Sequence, residues 1–232
     1  MKLDIKQKLL CLGAGLGILA GIAGTSKAEC TKNIFFAQKS EYRADAGFSA
    51  VKGPITEGSV GVSCGNFDAS IWSAYNDEAW RMNEVDIDVG YSGKIGHNLS
   101  GRIGLARWEF TEDGGKNDAA IASASYTGLP VGLSLKATKL LDADGLELKA
   151  TAFKDFQLRK VGEASISLRP EVRAVCLDDF FGVTNCPSSV IGGLSLNMRK
   201  GNVDTGVKIE YHDGKGRFEN TTIFGLNIGY SF

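Results

Sequence analysis

Thr222-Ile-Phe-Gly-Leu-Asn-Ile-Gly-Tyr-Ser-Phe232 closes the chain. Counted back from Phe232, Tyr230, Ile228, Leu226 and Phe224 are large and apolar, and Ser231, Gly229, Asn227 and Gly225 lie between them. A period of two puts one set on each face of a strand. One continuous apolar face and one small or polar face is the pattern of a strand with lipid on one side.

Upstream, the same alternation recurs in short runs separated by turn residues. It predicts twelve strands, at roughly 40–50, 56–64, 67–75, 83–92, 98–110, 118–127, 131–141, 145–156, 164–176, 189–199, 202–212 and 221–232. Segments of this length suit membrane strands of about 9 to 11 residues. Glycine is abundant at 30 residues and proline scarce at 4, as tight turns between many strands require. The expected fold is an all-β, transmembrane antiparallel β-barrel of about twelve strands, with ten as the alternative count. With both termini on the periplasmic side, the turns at 65–66, 92–98, 127–130, 157–163 and 200–201 face inward. The longer polar loops at 76–82, 111–117, 177–188 and 213–220 face outward. Two places resist this map. Pro170 falls inside the ninth strand, where it cannot donate a ladder bond. In the fifth strand Leu99, Ile103 and Leu105 share a face with Arg107 and Glu109, so either the phase slips or the strand leaves the lipid before Arg107.

The first 28 residues read as a secretory signal: Lys2, Lys6 and Lys8, then an uncharged apolar run at 9–23, then Ser26-Lys-Ala28 as the cleavage site. The barrel domain is then 29–232. Removing Lys2, Lys6, Lys8, Lys27 and Asp4 takes the net charge from −1 to about −4, too near neutral for a nucleic-acid partner. Cys11 leaves with the leader. Of the remaining four cysteines, the map places Cys30 and Cys64 at the periplasmic end and Cys176 and Cys186 around the longest outer loop, which predicts those two bridges.

A charged side chain facing hydrocarbon costs a few kcal/mol, about 2 to 4 for a basic residue at the midplane. The lumen is therefore predicted to hold Arg43, Asp45, Asp68, Trp72, Glu84, Asp86, Asp88, Arg102, Lys136, Lys149, Arg169, Arg173, Lys208 and Glu210. Acids dominate the first four strands and bases the fifth to eleventh, so opposite walls would carry opposite charge. The same residues could instead pair and fill the interior.

A chain ending on such a strand with a terminal aromatic resembles the closing strand of bacterial outer-membrane barrels. That resemblance implies that Phe224, Leu226, Ile228, Tyr230 and Phe232 form the signal read by the barrel assembly machinery. The stretch 67–93, through Phe67, Trp72 and Ser73 on one strand and Glu84, Asp86, Gly90, Tyr91, Ser92 and Gly93 on the next, resembles the Gcw_chp type of conserved bacterial outer-membrane proteins of undescribed function. It implies a barrel in the outer membrane of a Gram-negative bacterium, among outer-membrane lipids, with no assigned chemistry.

No catalytic residue is assigned. His97 falls in a turn, and His212 follows Glu210 on one face near the outer rim, the arrangement a rim hydrolase would use with a neighbouring nucleophile. Glu84, Asp86 and Asp88 stand about 6.6 to 6.8 Å apart in succession along the strand, too far to close on one ion unaided, so no metal is expected. Gly15-x-Gly17-x-x-Ala20 lies in the leader without the strand a dinucleotide site needs, and no cofactor is expected. The leading expectation is a small porin-like channel for polar solutes with a charged lumen; the alternatives are a non-conducting structural or surface-interaction barrel and, further back, a rim hydrolase.

Overall fold

The computed structural model describes residues 30–43, 49–51, 53–111, 114–215 and 219–232. Its strands are β1 (Cys30–Lys39), β2 (Tyr42–Arg43), β3 (Ser49–Val51), β4 (Ile55–Cys64), β5 (Phe67–Asn76), β6 (Arg81–Lys94), β7 (Leu99–Phe110), β8 (Lys116–Tyr126), β9 (Gly132–Leu140), β10 (Leu146–Phe153), β11 (Phe156–Val161), β12 (Ala164–Phe180), β13 (Val183–Lys200), β14 (Val203–Gly214) and β15 (Thr221–Ser231). Neighbours in sequence pair antiparallel from β4 to β10 and from β12 to β15, β1 bridges β15 and β4, and β10 pairs with β12 to close the sheet. The result is a closed antiparallel barrel of twelve staves, with β11 continuing the line of β10 along β12.

The closing strand sets the phase of the wall. Phe224, Leu226, Ile228 and Tyr230 are about half exposed and turned outward, while Ile223 is buried and Gly225, Asn227 and Gly229 face in. The same alternation puts Ile103, Leu105, Leu135, Val207 and Ile209 on the outer surface. Sheet closure satisfies the backbone of the staves, which lipid cannot do.

Four expectations are corrected. The first stave is β1 (Cys30–Lys39), not 40–50. Two adjacent phenylalanines, Phe35 facing in and Phe36 facing out, hide its alternation, and the predicted span instead holds the small β2–β3 hairpin. Arg43 therefore sits on a hairpin within the first outer loop rather than on the wall, and Asp45 lies outside the described residues. The eighth stave does not end at 156: β11 runs on to a turn at Gly162, whose φ of 60° suits glycine. The loop expected at 177–188 is mostly the extended β12–β13 hairpin, turning at Phe181-Gly182 (φ 51° and 71°).

Both awkward places resolve. Pro170 pairs with Leu194 on β13, and on its other side the partner strand breaks at residues 154–155, between β10 and β11, where the missing donor is not needed. β7 keeps its register with β6 and β8 throughout, so Arg107 does face outward. It makes a two-bonded pair with Asp118 (both 2.7 Å), and Glu109 lies 3.8 Å from Lys116. The stave leaves the lipid below this collar of ion pairs.

Cys30 stands directly opposite Cys64 in the β1–β4 register and is bonded to it; Cys176 and Cys186 bridge the β12–β13 hairpin. Both pairs have Cα atoms 4.3 Å apart.

Candidate functional site: the charged lumen

Small polar residues line the periplasmic end. Ser92, Lys94, Ser100, Arg102, Ser123 and Ser125 border a cavity of about 660 Å³. Above it Arg102 donates to Asp68 at 2.5 to 3.2 Å and pairs with Asp88. Two glycines make room for this guanidinium: a Cβ at Gly90 would collide with it, and one at Gly104 would lie 2.9 Å from its Nη1. Arg102, Ser123, Lys136 and Lys149 are successive partners across β7 to β10, so three basic residues share one lateral rung. Lys136 is close enough for its charge to act on Asp86.

On the next wall Glu171 on β12, Gly193 on β13 and Glu210 on β14 share a rung. Gly193 has no side chain to separate its neighbours, and a Cβ there would lie 2.9 Å from Glu171 Cγ. The two carboxylates therefore meet across an intervening strand. Lys208 lies 2.9 Å from both, and Arg173 pairs with Glu210 and lies 3.4 Å from Glu171. Arg169 faces Asp155 at 2.7 Å at the periplasmic rim and stacks over Phe153.

Towards the outer end the interior fills. Leu140, Val175, Leu177, Phe180 and Ala119 form a buried cluster with Trp108 and Val183 against it. The tip of the β12–β13 hairpin folds onto the mouth, with Phe181 6.3 Å from Trp108 and 6.2 Å from Phe110 between ring centres. From the other side comes the first loop. Its Tyr42 donates to Glu84 and lies 6.0 Å from Trp72, while Arg43 donates to the Glu219 carbonyl. Burial, and then the charge and hydrogen bond of Glu84, hold the Tyr42 hydroxyl protonated well above the ordinary tyrosine range. Glu57 is buried and lies 2.7 Å from Lys39.

The predicted lumen residues on the staves thus point inward, but their charges are not simply segregated. Asp86 lies within the influence of Lys136, Glu57 pairs with Lys39 and Glu84 accepts from Tyr42, while Arg102, Arg173 and Lys208 turn to acids on neighbouring strands. Sequence reasoning missed Tyr42, Lys39, Glu57 and the aromatic cap of Trp108, Phe110, Phe180 and Phe181. Phe180-Phe181 before Gly182 was the visible signal for that cap. His212 is 2 % exposed, paired in register with Ile191, with Nε2 3.9 Å from Glu210. It lies inside the wall rather than on the open rim.

A twelve-stranded barrel with a polar interior and inward-folded outer segments is a porin-like fold of the outer-membrane type. The solved KdgM porin is similar over 86 % of this chain and 99 % of its own, with a TM-score of 0.62 at 12 % identity. The KdgM porin in complex with disordered oligogalacturonate gives 0.59 at 11 % identity (87 % and 99 % covered), and the NanC porin 0.52 at 13 % (87 % and 98 %). At these identities the likeness is one of fold. No family model matches the chain, and no curated protein is significantly similar in sequence.

Proposed function

We propose that this protein is a small porin-like channel for polar solutes in the outer membrane of a Gram-negative bacterium. Residues 1–28 direct its export, and the assembly machinery reads the closing strand through Phe224, Leu226, Ile228, Tyr230 and Phe232. The observation that carries the reading is the hydroxyl-lined cavity that reaches from the periplasmic end to Arg102, with Lys136 and Lys149 further along the same rung. The basic rung, with Lys136 acting on Asp86, gives the narrow lumen a local field that orients polar solutes. Acidic saccharides are the class to test first, because oligogalacturonate is the ligand in the similarly folded KdgM complex. Membership of the Gcw_chp type belongs to the same reading; its residues Trp72, Glu84, Asp86, Gly90 and Ser92 all face the lumen.

A second reading, a non-conducting structural barrel, is favoured by the packed outer half, where Ile55, Leu140, Val175 and Ile191 are fully buried. Recording from refolded protein in planar bilayers separates the two. The channel reading expects discrete conductance steps that acidic oligosaccharides block from one side. A silent bilayer over a wide voltage range would leave the structural barrel.

A further inference from the structure

Closure through β10 and β12 leaves one strand with a bare edge. β11 (Phe156–Val161) hydrogen-bonds to β12 alone, and β9 begins only at Gly132, opposite Phe153, so among the described residues no strand runs along its other side. All six residues of β11 are exposed, Gln157 and Lys160 on the lumen-side face as well as Phe156 and Val161 on the outer one. The exposed lumen-side residues and the missing neighbouring strand place β11 at the rim of the barrel. Peptide groups along such an edge are a template for another strand.

The edge also has a sign. Lys154, Arg159 and Lys160 lie along it, and Lys200 stands opposite Ala164 at the neighbouring turn. Asp155 is engaged by Arg169 at 2.7 Å, leaving Glu163 as the acid at this tip. Two copies of β11 side by side would set Arg159 and Lys160 against their counterparts, and like charges facing across a strand pair are destabilising. The register shift at Leu158 further spoils a flat self-pairing. These features bias the edge against a second copy of this chain and towards the opposite charge.

We infer that β11 is a docking edge for an extended, acidic segment of another protein. Such a segment adds a strand beside Phe156–Val161 and sets carboxylates against Arg159 and Lys160, the main chain supplying affinity and the charges specificity. Because β11 lies at the end of the barrel that carries both termini, the partner is periplasmic. That location rests on the outer-membrane reading above; the docking edge does not.

The test uses folded protein in detergent and a labelled peptide of about ten residues with Glu-Glu pairs separated by Thr and Val, so that both faces carry carboxylates, beside its Lys-for-Glu counterpart. The acidic peptide should bind and slow amide hydrogen exchange at 156–161, and the basic one should bind roughly tenfold more weakly. Arg159→Glu/Lys160→Glu, exposed positions whose exchange does not disturb the barrel, should reverse that order. Equal binding of the two peptides, no protection at 156–161, or an unchanged order in the double variant would overturn the inference. So would displacement of the acidic peptide by phosphatidylglycerol nanodiscs, which would assign the edge to anionic headgroups. Maleimide labelling of Lys160→Cys in intact cells checks the side separately: labelling from outside overturns the periplasmic partner and leaves the edge to the peptide data.

Discussion

The Tyr42 hydroxyl donates to Glu84 Oε2 at 2.5 Å, tying the loop that follows the first stave to the wall formed by β6. The contact spans 42 positions of sequence and brings a phenol under an otherwise carboxylate-rich mouth. Removing the hydroxyl leaves a buried carboxylate short of a donor, which costs about 1 to 3 kcal/mol. Tyr42→Phe should therefore loosen the first loop, lowering the melting temperature of the unheated gel form. In bilayers it should raise the time-averaged conductance, and unchanged values in both measurements would mean that the contact holds nothing in place.

The same tyrosine predicts an alkaline limit. Its folded pKa lies above its unfolded value of about 10, so the stabilisation is complete below pH 10 and is lost as the pH rises towards the folded value. Stability measured from pH 9 to 12 should fall more steeply for the native chain than for Tyr42→Phe.

Gly193 is required where Glu171 and Glu210 meet. A larger side chain there displaces Glu171 and splits a network whose acids and Arg173 are largely buried. Gly193→Leu should cost about 3 kcal/mol, the lower range for breaking a buried ion pair. Urea unfolding in lipid measures it, with Gly192→Leu, on the outward face, as the neutral control.

If solutes pass the rung of Arg102, Lys136 and Lys149, its charge sets which ions follow. Lys136→Glu/Lys149→Glu should shift the reversal potential in a potassium chloride gradient towards cation preference. It should also abolish block by acidic oligosaccharides. An unmoved reversal potential would exclude these lysines from the conducting path.

The two disulfides should differ in weight. Cys30–Cys64 closes a separation of 34 residues and pins the stave that joins the two ends of the sheet, whereas Cys176–Cys186 spans 10 residues within one hairpin. Chain-entropy arguments give roughly 3 to 4 kcal/mol for the longer loop and less for the shorter. Cys30→Ser/Cys64→Ser should lower refolding yield more than Cys176→Ser/Cys186→Ser.

Much of the barrel was legible because lipid imposes a strict rule on each strand: Phe224 to Tyr230 alternate with small residues since one face meets hydrocarbon. The rule fails where lipid is absent. Nothing in the alternation of 40–50 distinguishes a stave from a hairpin folded into the mouth, and β11 breaks its own alternation at Leu158, so its end could not be placed. Lumen positions such as Asp68 and Arg102 were readable as inward from charge alone. Their pairing was not, because it depends on which neighbours are glycine, as at Gly90, Gly104 and Gly193. The break opposite Pro170 shows the converse, a single residue whose chemistry demanded an irregularity without saying which strand would supply it.

The collar of Arg107 and Asp118 also bears on the membrane itself. From Leu99 to Leu105 the outward apolar face of β7 rises about 20 Å along the strand at roughly 3.4 Å per residue, or about 15 Å along the membrane normal once strand tilt is included. An ordinary barrel presents an apolar band about 25 Å tall. Beside β7 such a shorter apolar face is met either by local thinning of the bilayer or by Arg107 reaching to the headgroups, which would set this flank apart from the rest of the circumference.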